Sequence, residues 1–282
     1  MGKMMQRNKC KAFSLQELLT VIAVLAISLA VLVPVFMSAR EKARRALCCS
    51  NGRTLAQAIL NYAQDNDQTF PIALDGHPGT RTYWENTVMP YLNNKGALSC
   101  PDDQMGGKQD NSWWLGADTS WGVNAYYTRQ NKNALHGAFG IIDTPRWAPL
   151  NIMGTVSRQT HPAQSIMAAE MWSSDIVNHQ PGWFSKAGNA TNSQIGVFST
   201  DADSGAGNYH AIPEGNFKNN THRPANVGAA YNPAAQNGGV SVHPIGYATF
   251  IFCDGHVQTM KPVDTNPNGA WDDAQNLWNV TR

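Results

Sequence analysis

From Leu18 to Ala39 the chain runs 22 residues without a charged side chain, and a glutamate, Glu17, stands at the entrance to that run. About 20 mostly apolar residues are enough for a helix to cross the hydrocarbon core of a bilayer. Between Leu18 and Met37 only Thr20, Ser28 and Pro34 interrupt the apolar sequence. The segment therefore reads as a membrane-spanning helix, a form that satisfies its own backbone hydrogen bonds in lipid. Glu17 is the anomaly. A carboxylate deep in lipid costs roughly 2.5–3.5 kcal/mol, and less near the interface, so its place at one end of this helix demands a purpose.

The flanks constrain the topology only in part. Lys3, Arg7, Lys9 and Lys11 ahead of the run favour a cytoplasmic N-terminus, whereas Arg40, Lys42, Arg44 and Arg45 beyond it, offset only by Glu41, pull the other way. Charge alone leaves the orientation open. A secretory signal peptide fits poorly, because the run exceeds the usual length of about 7–15 residues and a cut after Ala39 puts the large Met37 where a small residue is wanted. A plain single-span anchor fits the run but leaves Glu17 unexplained.

Lys11-Ala12 followed by Phe13-Ser14-Leu15-Gln16-Glu17-Leu18-Leu19-Thr20-Val21-Ile22-Ala23 resembles the class III signal of type IV prepilins and type II secretion pseudopilins. The resemblance implies that a prepilin peptidase cuts between Ala12 and Phe13 and methylates the new amino terminus. It implies that Glu17 pairs with the N-terminal amine of a neighbouring subunit, setting the register of a filament whose core is a bundle of these helices. It also implies a helix kink at Pro34. Alanine at position 12 departs from the glycine usual before the cut. A membrane carboxylate becomes affordable once it meets a cation, which gives the implied pairing a physical basis.

Beyond Pro34 the sequence stays helix-compatible to about Asp65, with Leu55, Ala58, Ile59 and Tyr62 at helical spacing. From Phe13 to Asp65, at about 1.5 Å per residue, such a helix is roughly 80 Å long, so about half of it projects beyond the bilayer. Gly52 and Pro34 are its expected weak points. Residues 67–282 lack a long helical period, are rich in Gly, Pro, Asn, Trp and Tyr, and suit a β-rich, loop-heavy head. The expected organisation is a leader at 1–12, a transmembrane helix at 13–37, an amphipathic continuation at 38–66 and the head at 67–282. The fold class is α+β and pilin-like. Net charge is only +1, with the basic residues bunched about the span, so nucleic acid is not an expected partner.

Within the head, Tyr247 to Cys253 reads as a strand, Asp254-Gly255 as a turn and His256 to Met260 as a returning strand. His243 followed by Phe250-Ile251-Phe252-Cys253-Asp254-Gly255 resembles the C-terminal H-x9-DG segment of bacterial prepilin-type proteins, with ten residues instead of nine between His243 and Asp254. Weaker echoes of the same group are Cys100-Pro101-Asp102-Asp103, Ser120-Trp121-Gly122-Val123-Asn124 and the run from His161 to Glu170.

Of the five cysteines, Cys10 leaves with the leader, and Cys48, Cys49, Cys100 and Cys253 remain on the oxidising side. Cys49 with Cys100 is the favoured disulfide, Cys48 the substitute, and connectivity stays open. Cys253 reads as a small buried apolar residue. No C-x-x-C is present, which removes support for zinc-ribbon and thioredoxin readings. Asp264, Asn266, Asn268 and Asp272 fall at calcium-loop spacing about Gly269, but Gln275 stands where a bidentate acid is wanted. A weak calcium loop and an Asx-rich turn both fit; no other cofactor is implied. Asp201-Ala202-Asp203 is a poorer candidate.

No G-x-S-x-G, H-E-x-x-H, Walker A or G-x-G-x-x-G pattern occurs, and the histidines are scattered, so turnover is not expected. The sequence points to a pilin-like subunit in the bacterial inner membrane, with its head in the periplasm or outside. Its partners are prepilin peptidase and other pilin or pseudopilin subunits. The alternative is a membrane-anchored surface module that recognises polysaccharide through tryptophans such as Trp113, Trp114 and Trp121, and never polymerises.

Overall fold

A computed structural model of the chain describes residues 14–75, 82–104, 119–125, 127–128, 134–135, 137–143, 150–172, 197–198, 213, 240–244, 246–268 and 273–282. The chain divides into two units, Met1–Ala43 and Arg44–Arg282. Helix α1, Leu15–Asp65, contributes to both. Ser14 and Glu17 form a reciprocal capping box at its start: the Ser14 N–H donates to Glu17 Oε2 at 2.9 Å and the Glu17 N–H to Ser14 Oγ at 3.2 Å. Two orphan donors of the first turn are satisfied in this way.

In the first unit, every large apolar side chain from Leu15 to Met37 is exposed. The hydroxyls in this stretch turn inward on the helix's own backbone, Thr20 Oγ1 to the Glu17 carbonyl at 2.9 Å and Ser28 Oγ to that of Val24 at 2.8 Å. They make no demand on the surroundings. The helix is long and apolar enough to cross a membrane, and it continues through Pro34, whose missing N–H leaves the Ala30 carbonyl without its usual donor.

In the second unit the same helix buries Cys48, Gly52, Leu55, Ala56, Ala58, Ile59 and Ala63, a stripe at helical spacing. Tyr62, half-buried, meets the edge of Tyr91 at 5.8 Å. The expected apolar face is thus present. The helix ends where Asp67 and Gln68 enter the left-handed region, with φ of 51° and 57°.

The stripe packs on a five-stranded sheet of order β11-β10-β8-β3-β9. Its strands are β3 (Trp121–Asn124), β8 (Ile166–Glu170), β9 (Val197–Phe198), β10 (Ala248–Phe252) and β11 (Val257–Met260). All its pairings are antiparallel except that of β3 with β9. The period-2 alternation of β10 sends Ile251 toward the helix, and Ala248, Phe250 and Phe252 into a second cluster with Met171, Val240 and Trp278. Between β8 and β10 the register slips: Ile251 faces Ala168 but Phe252 faces Ile166. Met167 is the extra residue of a bulge, which is how it joins Ala168 in the helix-side core.

A second sheet has the order β2-β1-β6-β7 and a small one joins β4 to β5. Their strands are β1 (Ile72–Asp75), β2 (Thr82–Tyr83), β4 (Tyr127–Thr128), β5 (Ala134–Leu135), β6 (Gly140–Asp143) and β7 (Leu150–Ile152). The architecture is α+β and pilin-like: a long N-terminal apolar helix with a β-rich head.

The expected C-terminal hairpin is present, but its loop is three residues long, with Phe252 N–H bonded to the His256 carbonyl at 2.9 Å. Gly255 takes φ of 91°, a left-handed conformation suited to glycine, and a Cβ there would stand 2.8 Å from Leu60 Cδ1.

Gly52 is no weak point. A Cβ at position 52 would stand 3.1 Å from Trp121 Cη2 and 3.4 Å from Val257 Cγ1, so the absent side chain is what lets helix and sheet close together. Gly52→Leu is therefore expected to destabilise the head by about 1–3 kcal/mol through overpacking. Urea unfolding followed by tryptophan fluorescence reads this as a lower midpoint, and an unchanged midpoint contradicts the close approach.

Candidate functional site

Three of the sequence segments picked out in the head meet at one buried point. Pro101 turns the chain after Cys100, with the Asp103 N–H returning to the Cys100 carbonyl at 3.1 Å, and this presents Asp102 inward. Glu170 ends β8, the one acid in a strand whose other four residues are Ile, Met, Ala and Ala. His243 precedes a tight turn in which the Gly246 N–H donates to the His243 carbonyl at 2.7 Å, while its own N–H donates to that of Tyr247 at 2.8 Å.

His243 lies between two carboxylates. Its Nδ1 is 2.6 Å from Asp102 Oδ2 and its Nε2 is 3.2 Å from Glu170 Oε1. The histidine and Glu170 side chains have 0% exposure and that of Asp102 has 5%. Each carboxylate has a further partner. The Arg44 guanidinium donates to Asp102 Oδ1 at 2.7 Å, and the Thr249 N–H donates to Glu170 Oε2 at 2.8 Å. Trp172 meets the imidazole edge-on at 5.3 Å.

Burial pushes the His243 pKa down, but the hydrogen bonds and charges of Glu170 and Asp102 more than offset it, so the pKa is raised. The imidazolium and the Arg44 guanidinium together balance two carboxylates that could not otherwise be buried side by side. This joins the 100–103 turn, β8 and the 240–247 segment electrostatically.

The disulfide beside this network is Cys48–Cys100, with Cα atoms 5.5 Å apart, and Cys100 Sγ is 3.6 Å from Glu170 Oε1. This corrects the favoured pairing of Cys49 with Cys100. Adjacent helical residues point about 100° apart, so only one of two neighbouring cysteines can face Cys100. Cys49 instead faces the sheet, with its sulfur 3.2 Å from Thr259 Oγ1. Cys253 is buried, and burial pushes its thiol pKa up.

The other segments support the same centre. Ser120 Oγ donates to Asp103 Oδ2 at 2.8 Å, and the Trp121 indole N–H donates to the Ala97 carbonyl at 3.0 Å. Buried Asn124 donates to the carbonyls of Ile166 and Trp278, at 2.7 and 2.8 Å, tying β3 to β8 and to the C-terminal strap.

No pairing joins His243 to Asp254. Asp254 turns to the exposed His256, whose Nδ1 is 2.6 Å away, and shapes the hairpin loop with Gly255. Ala12 and Phe13 lie outside the described residues, as do Asp272, Asp201, Asp203, Trp113 and Trp114. Asp264 sits in a 3-10 turn, Pro262–Thr265. Asn266 is buried and donates to the Pro213 carbonyl at 2.9 Å, and Asn268 donates to Asp273 Oδ2 at 2.6 Å.

Sequence reasoning singled out His243 but missed its partners. The available signal was Glu170, an acid closing an otherwise apolar strand run.

The folded-state pKa of His243 lies above its unfolded value, which is near 6.5. Its contribution to stability is therefore complete below that value and is lost as pH rises through the folded one. His243→Gln is expected to destabilise the head at pH 6 by about 3–5 kcal/mol, the cost of breaking a buried ion pair. The gap between wild type and variant should then shrink as pH rises. Urea midpoints measured across neutral and alkaline pH check this, and a constant gap contradicts it.

A family model described as a protein of unknown function (DUF1559) matches residues 37–124, a stretch that holds Cys48, Cys100, Asp102 and β3. No curated protein and no solved structure matches the chain.

Proposed function

We propose that this chain is a type IV pilin-like or pseudopilin subunit. Prepilin peptidase cleaves it between Ala12 and Phe13 and methylates Phe13. The helix holds it in the bacterial inner membrane with its head on the periplasmic side, and it assembles with other such subunits into a pilus or a type II secretion pseudopilus. Its work is assembly, without turnover.

The observation that carries this reading is the change of character within α1. Its large apolar side chains from Leu15 to Met37 are exposed, and from Cys48 onward one face is core. Such an element needs lipid, or neighbouring helices like itself, around its first half. The match to DUF1559 supports the reading, since that family is associated with prepilin-like proteins. The polysaccharide-binding alternative has less support: the four tryptophans among the described residues, Trp84, Trp121, Trp172 and Trp278, are all buried.

Glu17 has two candidate roles that a single pair of variants separates. Its carboxylate caps its own helix through Ser14, and in an assembled filament it would pair with a neighbour's N-terminal amine. Glutamine also serves in a capping box but carries no charge. With prepilin peptidase co-expressed, mass spectrometry is expected to find the mature start at Phe13 for wild type, Glu17→Gln and Glu17→Ala alike. Filament yield by electron microscopy should collapse in both variants. If Glu17→Gln assembles like wild type, the cap and not the charge is what assembly needs. An uncut N-terminus in wild type contradicts the proposal as a whole.

A further inference from the structure

The disulfide and the network share more than a boundary. One ligand atom each from Cys48, Cys100, Glu170 and His243 lie within 4.8 Å of one another, and all four residues are buried. Neighbouring ligands of a tetrahedral zinc ion stand roughly 3.3–3.8 Å apart, given Zn–S of about 2.3 Å and Zn–N of about 2.0 Å. Glu170 Oε1 already stands 3.2 Å from His243 Nε2 and 3.6 Å from Cys100 Sγ; once the disulfide is reduced, the two sulfurs move apart to about 3.8 Å and any longer separation closes by at most about 1 Å to reach that geometry.

The surroundings of the set are those of a metal site. A ligating histidine usually gives its second ring nitrogen to a carboxylate, which fixes the tautomer and the ring orientation. Here Asp102 holds His243 Nδ1 at 2.6 Å, so Nε2 faces the cluster, and Arg44 holds Asp102 in turn. The carboxylate is held as well: Thr249 N–H occupies Glu170 Oε2 at 2.8 Å and leaves Oε1 toward the sulfurs and His243. Two thiolates, an imidazole and a carboxylate suit zinc and not the hard cations calcium or magnesium.

We propose that the dithiol form of this chain binds one zinc ion through Cys48, Cys100, Glu170 and His243. The metal and the disulfide are alternatives, because each requires both sulfurs. Binding releases the two thiol protons and the imidazolium proton; the zinc charge offsets the two thiolates, and the Glu170 carboxylate is then held by its bond to the metal and by the Thr249 N–H. Cys48 and Cys100 are 52 residues apart, Cys100 and Glu170 are 70 apart, and Glu170 and His243 are 73 apart. No short cysteine motif announces a site dispersed in this way.

The test uses the full chain in detergent, reduced with a phosphine, stripped with a chelator and loaded with zinc. About one equivalent is expected to survive desalting. Zinc-edge X-ray absorption should show two sulfurs near 2.3 Å and two nitrogen or oxygen ligands near 2.0–2.1 Å. The disulfide-closed chain should retain none. Cys49→Ser should keep the two-sulfur shell, and Cys100→Ser should lose at least one sulfur from it. A shell without sulfur overturns the proposal, as does equal retention by the disulfide-closed chain or a two-sulfur shell in Cys100→Ser.

Discussion

A histidine with no exposed side chain, held between two carboxylates, is the interaction on which the head's organisation turns. Asp102, His243 and Glu170 come from a turn, a loop and a strand far apart in the sequence, and this network joins them through their side chains. Remove the imidazolium and the two buried carboxylates share the single charge of Arg44, an imbalance that a protein interior tolerates poorly. Arg44 ties the network to the helix, and the Cys48–Cys100 disulfide ties the same helix covalently to the turn that presents Asp102. Ser120 and Asn124 carry the connection on into β3, β8 and the C-terminal strap.

The helix answers to two different environments. Its first part exposes apolar side chains and folds its hydroxyls back on its own carbonyls, as a lipid-facing helix must. Its second part presents a stripe to the sheet and needs glycine at position 52 for Trp121 to approach. The helix thus combines an apolar first half whose side chains are open to lipid or to other helices with a second half packed into the head.

Much of this was legible in the sequence because it depends on local pattern. The uncharged run, the stripe through Leu55, Ala58 and Ile59, and the strand-turn-strand around Asp254-Gly255 each follow from periodicity or turn chemistry over a few residues. The Ser14 to Glu17 capping box was not read from the sequence, although a serine followed three residues later by glutamate before an apolar run is its signature. The choice of Cys48 over Cys49 was not legible, since it depends on which way one helical residue faces a loop 52 positions away. Nor were the partners of His243: the ten-residue spacing to Asp254 drew attention to a neighbour in sequence, whereas the acids that hold it are 141 and 73 residues distant. Gly52, read as a helix weakness from propensity, serves packing, because tertiary contact overrides a local preference of about 1 kcal/mol.

The most direct test of the buried network is the protonation state of His243 itself, read from the imidazole nitrogens by NMR on the selectively labelled chain. The account predicts that both ring nitrogens of His243 keep their protons as pH rises past the ordinary histidine value near 6.5. A His243 that becomes neutral at or below that value would contradict it.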